Sequence, residues 1–206
     1  MVSRYECLEF LAGAVDDALV LVYGTGAISE WGHVRPHPPF MKMQMGIPTP
    51  AGLGLALALP HRKVVVIDAD GSLLLNLGAI ATLGNLRPPN LKVFVMDNEC
   101  YESIGGFPTA TAGATDLAAM AKGAGVKQAT TTRTIEEFKE ATRKALLENA
   151  LHFVVVKVEK GMKRLPPART DGIEAAYKFL RYIEETEGIE ILTAPLQRMP
   201  EDLFRP

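Results

Sequence analysis

Two polar groups at the ends of two apolar runs could share one cation: Asp70, within Asp68-Ala69-Asp70-Gly71-Ser72, and Asn98, within Asp97-Asn98. A carboxylate and an amide oxygen are hard ligands of the kind Mg²⁺ prefers, in a six-fold shell that a phosphate commonly completes. Gly71 lets a backbone approach a phosphate closely, and Ser72 stands where a helix N-terminus begins, with free N–H groups and a positive dipole end. Asp-Gly-Ser alone occurs in many turns. Asp-Gly-Ser after one strand, with Asp-Asn after the next, is a far stronger signal, and it reads as a Mg²⁺–diphosphate site.

The elements that must position these groups follow from the runs around them. Val64 to Ile67 and Val93 to Met96 are apolar on consecutive positions, as suits parallel strands covered on both faces. A helix from Leu73 to Leu86 and a turn at Pro88 and Pro89 separate them, so strand, helix and strand form a crossover that releases both carboxyl ends at one sheet edge. The rest of the chain continues the alternation. A helix over 3–14 capped by Ser3 precedes a strand from Ala18 to Tyr23. Gly24-Thr25-Gly26-Ala27 then makes a turn, either a plain βα turn or one that aims N–H groups and a hydroxyl at an anion. The small-residue helix 48–59 can lie close to the sheet. Helices at 116–123 and 135–149, the latter with Ile135, Phe138, Ala145 and Leu146 inward, alternate with strands 127–132 and 153–158. The expected fold is α/β, a doubly wound, mostly parallel sheet with helices on both faces, over residues 1–160. Residues 161–206 read as a linker, an amphipathic helix at 171–187 with Ile173, Tyr177, Leu180 and Ile183 on one face, and an extended arm with Pro195, Pro200 and Pro206. That appendage is expected to pack on the domain or on a partner.

Composition removes several classes. A net charge of −2 gives no basic footprint for nucleic acid. There is no apolar run long enough to span a membrane, and the first residues lead into an amphipathic helix rather than a secretory signal. Two cysteines, Cys7 and Cys100, make neither a disulfide framework nor an iron–sulfur site. The expectation is a cytoplasmic protein.

The chain resembles the thiamine diphosphate enzymes, and in particular the β subunit of the sulfopyruvate and phosphonopyruvate decarboxylase family. The resemblance is carried by Asp70-Gly71-Ser72-Leu73-Leu74, Asn76-Leu77-Gly78-Ala79, Asp97-Asn98, Tyr101, Ser103, Gly105-Gly106 and Pro108-Thr109. It runs from about Asp17 to Glu159 and fades beyond. It implies Mg²⁺ held by Asp70, Asn98 and the main-chain carbonyl of Cys100. It also implies thiamine diphosphate contacts from Thr25, Gly26, Gly71, Ser72, Tyr101, Ser103 and Ile104. Met45, just before Gly46, would prop the bent cofactor, and the Met43 carbonyl would receive the aminopyrimidine N–H. Ala69 and Glu102 each replace a glycine of the family pattern, and Ala69 fits if its φ is negative.

The segment 31–40, with Trp31, His33, Arg35 and His37, reads either as a mobile active-site loop or as a surface loop with incidental histidines. A 2-oxo acid with an anionic tail suits an Arg or His, and protonating a carbanion needs an acid near neutral pH. His33, His37 and Glu102 are therefore the candidate substrate-contacting or catalytic residues. The implied reaction is decarboxylation of a small 2-oxo acid to CO₂ and an aldehyde. The family's pyrimidine-binding half has no counterpart in the sequence, so an α subunit is the expected partner in a hetero-oligomer. The competing readings are an acetolactate synthase-like carboligase subunit, a non-catalytic diphosphate-binding regulatory module, or a doubly wound domain in which both motifs are incidental.

Overall fold

The buried runs become strands of one parallel sheet. The computed structural model describes residues 1–166 and 171–192. The strands are β1 (Leu19–Val22), β2 (Met41–Lys42), β3 (Val64–Ala69), β4 (Leu91–Asp97), β5 (Cys100–Tyr101), β6 (Phe107–Pro108), β7 (Gln128–Thr132) and β8 (His152–Lys157). Six of them form the sheet in the order β2-β1-β3-β4-β8-β7, all parallel, while β5 and β6 pair as a separate antiparallel hairpin. Alternate residues of each strand enter opposite apolar layers, which is why β3 and β4 carry no polar face to read as a period of two. One layer holds Val20, Val65, Phe94 and Val154 with α1 (Arg4–Ala14), α2 (Thr25–Val34) and α7 (Ile135–Leu147). The other holds Leu21, Val66, Val93 and Val155 with α3 (Pro48–Ala58), α4 (Asp70–Leu75), α5 (Gly78–Leu86) and α6 (Leu117–Gly123).

β1 lies between β2 and β3, so the chain leaves β1 towards one edge and later returns on its other side. The helices that follow β1 and β3, α2 and α4, pack into opposite layers. Their divergence opens a crevice at the carboxyl ends of these strands, the position at which open α/β sheets bind ligands.

Three expectations change. The helix expected from Leu73 to Leu86 is two helices, because Asn76 leaves the helical region and its side chain donates to the Gly46 carbonyl at 3.0 Å. The segment 31–40 is not a loop throughout, since α2 continues to Val34 and Trp31 is a fully buried core residue. Arg35 closes that helix and donates to the carbonyls of Ala12 (2.9 Å) and Asp16, so it pins the end of α1 rather than meeting a substrate. The third concerns α8 (Gly172–Glu187), which buries Phe179 and Ile183 against the second layer and leaves Ile173 and Tyr177 exposed. Its end is fixed by Glu187, which accepts from Arg62 and meets His61 at 2.5 Å. The arm with Pro195, Pro200 and Pro206 lies outside the described residues.

The small-residue helix packs on the sheet through Thr49, Gly52, Leu53 and Ala56, and Gly52 is its glycine of close approach. A Cβ on Gly52 would sit 2.1 Å from Val66 Cγ2, whereas one on Gly54, exposed on the same helix, would meet nothing within 4 Å. Gly52→Ala is expected to destabilise by about 1–3 kcal/mol through overpacking. Gly54→Ala should stabilise by about 0.5–1 kcal/mol through helix propensity. Urea unfolding of the two variants checks this, and equal shifts of the same sign would contradict the packing.

Candidate functional site

The crevice is lined from three strand ends. β1 supplies Tyr23 and the turn Gly24, Thr25 and Gly26; β3 supplies Ala69, Asp70, Gly71 and Ser72; β4 supplies Asn98 and, beyond it, Cys100, Tyr101, Glu102 and Ser103. Met45 and Arg4 close its sides. The parallel register makes this convergence: Val22 pairs with Ile67 and Ala69 with Met96, so the chain leaves all three strands at nearly one level. Gly24, at φ 112°, makes the sharp exit from β1 that opens α2 at Thr25. Ala69 has φ −121°, so the alanine in place of the family's glycine is unstrained. Gly71 has no such freedom of substitution, because a Cβ there would lie 2.4 Å from the Tyr101 ring.

Asp70 is 1% exposed, and a carboxylate so buried needs partners. Thr109 Oγ1 donates to its Oδ2 at 2.6 Å, and Thr111 Oγ1 lies 3.3 Å from the same oxygen. Thr111 in turn donates to Asp97 Oδ1 at 2.7 Å. Asp97 Oδ2 pairs with Lys157 Nζ at 2.8 Å, a contact set by the register that places Asp97 beside Lys157 across β4 and β8. Burial lowers the Lys157 pKa, but the hydrogen bonds to Asp97 and Glu99 outweigh it and hold the ammonium above its usual range. Burial pushes the Asp70 carboxyl up to about 6; Asp97 adds to the rise, while the Thr109 and Thr111 hydroxyls oppose it. Both threonine contacts fall on Oδ2, which leaves Oδ1 for a cation. Asn98 Oδ1 accepts from the Cys100 N–H at 3.2 Å and keeps a second lone pair.

The turn that carries Met45 is tied to this centre. Gly46, at φ 80°, donates its N–H to Ser72 Oγ at 2.9 Å, so the Ser72 hydroxyl is a brace between the turn and α4. Met43 continues the β1–β2 pairing through a 2.9 Å bond to the Val22 carbonyl and packs on the core without lining the crevice. Ile104 is 64% exposed and is not among the residues that line the crevice. His33 and His37 are exposed and line no part of the crevice. Glu102 does line it, with its carboxylate accepting the Gly161 N–H and lying 3.6 Å from Arg4 Nη1. The residues that sequence reasoning missed are Arg4, Thr109, Thr111 and Lys157 as partners of the site. A polar pair two residues apart, Thr109 and Thr111, was the one local signal; the other two come from distant segments.

Residues 31–158, more than half of the chain, match the family described as thiamine pyrophosphate enzyme, C-terminal TPP binding domain. The chain belongs to this family. It is 34% identical over 187 residues to the sulfopyruvate decarboxylase subunit beta of Methanocaldococcus jannaschii, covering 89% of this chain and 98% of that protein. It is 33% identical over 185 residues to the phosphonopyruvate decarboxylase of Streptomyces viridochromogenes, covering 88% of this chain but 46% of the relative. The solved benzoylformate decarboxylase of Polynucleobacter necessarius superposes with a TM-score of 0.69 at 22% identity, over 79% of this chain and 34% of that one, which is a likeness of fold.

The residues present fit the cofactor of a TPP-binding domain. Among the described residues no group of three or more His, Cys, Asp or Glu could hold a metal by itself. One carboxylate and one amide oxygen suit a Mg²⁺ that completes its shell with diphosphate oxygens and water. The site depends on a buried charge balance that can be broken on purpose. Lys157→Met leaves Asp97, 1% exposed, without its counter-ion. It should cost about 3–5 kcal/mol of unfolding free energy, with the Lys157→Met/Asp97→Leu pair recovering most of it. Denaturant titration reads both, and a Lys157→Met chain as stable as wild type would contradict the assignment.

Proposed function

We propose that the chain is the diphosphate-binding subunit of a thiamine diphosphate-dependent decarboxylase that acts on a small 2-oxo acid of the sulfopyruvate or phosphonopyruvate type. The observation that carries this reading is the convergence of Asp70, Asn98 and the Gly24–Gly26 turn on one crevice, in a chain of the TPP-binding family. Asp70 Oδ1, Asn98 Oδ1 and the Cys100 carbonyl hold Mg²⁺. Thr25, Gly26, Gly71, Ser72, Tyr101, Ser103 and Ile104 surround the diphosphate, with Ser72 offering its main chain because its hydroxyl accepts from Gly46 and bonds to Asp68. Met45 and the Met43 carbonyl orient the organic part. When bound, thiamine diphosphate supplies the electron sink for the carbanion left by loss of CO₂. His33 and His37 do not line the crevice.

A separate α subunit supplies the pyrimidine-binding half. Two observations support this: relatives matched over nearly their whole length are named as β subunits, and the phosphonopyruvate decarboxylase relative has about twice the matched length in one chain. In this reading residues 1–160 are the cofactor domain and 161–206 an appendage to it, of which α8 packs Phe179 and Ile183 on the second apolar layer.

Two measurements test the proposal. With a pyrimidine-domain subunit, the chain should release CO₂ and an aldehyde from sulfopyruvate or phosphonopyruvate; alone it should be inactive. Full activity of the isolated chain, or a hydroxyketone product, would contradict it. The second is the pH dependence of Mg²⁺-dependent cofactor binding. A proton competes with the cation for Asp70, whose pKa is raised to about 6, so affinity is full above that value and lost below it. Affinity should drop roughly tenfold between pH 7 and pH 5. Asp70→Asn should abolish the Mg²⁺ requirement together with tight binding; a variant that keeps both would remove Asp70 from the site.

A further inference from the structure

The crevice binds an anion in this reading, yet its lining holds two acids, Asp70 and Glu102, and Arg4 is the cation among its described residues. Arg4 comes from the first turn of α1, well before the first strand, and is 8% exposed. Its guanidinium is held rigidly. Nε donates to Glu30 Oε2 at 2.8 Å and Nη2 to Glu30 Oε1 at 3.2 Å, with a further bond from Nη2 to the Gly161 carbonyl at 3.0 Å. Glu30 is itself buried and also accepts the Lys163 N–H at 3.0 Å, so it cannot turn away. The approach is possible only because residue 26 is glycine: a Cβ there would lie 1.8 Å from Arg4 Nη2. The guanidinium thus rests against the Thr25-Gly26 turn with one amino group, Nη1, uncommitted. Among the described residues Nη1 has no hydrogen-bond partner, and its salt-bridge neighbour is Glu102 Oε2 at 3.6 Å, beyond hydrogen-bond length.

We infer that Arg4 is a diphosphate-binding residue that contacts a terminal phosphoryl oxygen through Nη1, and that Glu102 competes with the diphosphate for that edge. The inference rests on the Mg²⁺–diphosphate reading of the crevice and adds to it a residue outside the strand-end motifs. A fixed guanidinium with its other donors satisfied gives one charge-assisted bond in one direction. Glu102 is held against the same edge by the Gly161 N–H, so its negative charge opposes an incoming phosphate. Arg4 and Glu102 then set cofactor affinity in opposite senses.

The test is calorimetric titration of the chain assembled with its pyrimidine-domain subunit, in Mg²⁺, with inorganic pyrophosphate and separately with thiamine diphosphate. Glu102→Gln keeps an acceptor for Gly161 and removes the charge; it should bind both probes roughly fivefold more tightly. Arg4→Gln with Glu30→Gln removes the buried pair together and should bind both at least roughly tenfold more weakly. Wild-type affinity in a folded double variant overturns the inference. So does a double variant that keeps pyrophosphate affinity while the assembled enzyme shows a raised KM for the 2-oxo acid, which would assign Arg4 to the substrate. If the double variant does not fold, Glu102→Gln decides: no tightening overturns the inference. Arg4-dependent binding of pyrophosphate without binding of thiamine diphosphate would sustain the inference and refute the cofactor reading. Binding of neither probe by the wild type refutes both.

Discussion

The whole site depends on keeping one carboxylate, Asp70, buried and ionised at the end of a parallel strand. Burial works against the charge, and the fold answers with hydrogen bonds rather than a direct cation. Thr109 and Thr111 approach Asp70, Thr111 also holds Asp97, and Asp97 is held by Lys157 from the neighbouring strand. A relay of this kind leaves Asp70 with one engaged oxygen and one available oxygen, which is what a metal ligand needs. A lysine placed directly on Asp70 would have satisfied the charge and closed the site to a divalent ion.

The same economy governs the backbone around it. Ser72 spends its hydroxyl on Gly46, Asn76 spends its amide on the Gly46 carbonyl, and the turn carrying Met45 is thereby fixed to the helix that begins at Asp70. Thr49 reaches back from α3 to Asp68 at 2.7 Å and meets a carboxyl whose pKa burial has raised. The motif residues that look interchangeable in sequence, Asp68, Asp70 and Ser72, therefore divide between bracing and binding.

Much of this was legible in the sequence, for a physical reason. Consecutive apolar residues ending in Asp-Gly-Ser and Asp-Asn fix both the strand type and the sheet edge, so Asp70 and Asn98 fall together without any long-range information. Residues that enter from far away were not legible. Arg4 reaches the crevice from a helix whose own pattern speaks only of packing, and Lys157 meets Asp97 through a register that no local spacing encodes. Prolines at 36, 38 and 39 suggest a loop over 31–40, yet they begin only after Val34, so α2 runs on to that residue. On α8 the stripe Ile173, Tyr177, Leu180 and Ile183 is buried only at its C-terminal end, where Ile183 packs together with Phe179, while Ile173 and Tyr177 stay exposed. The pattern alone does not say which part of an apolar stripe finds a partner.

The segment that follows β8 gives the crevice a second support. Val158 donates to the Asp97 carbonyl, Glu159 to Val2, and Gly161 exchanges bonds with Arg4 and Glu102, so both ends of the cofactor domain meet beside the site. The central claim is that metal and diphosphate share the ends of β1, β3 and β4. A crystal structure of the chain grown with Mg²⁺ and thiamine diphosphate tests it most directly. The account predicts a cation about 2.1 Å from an Asp70 carboxylate oxygen, Asn98 Oδ1 and the Cys100 carbonyl, bridged to the diphosphate. A diphosphate bound elsewhere, or bound in the crevice with no cation at Asp70, would contradict it.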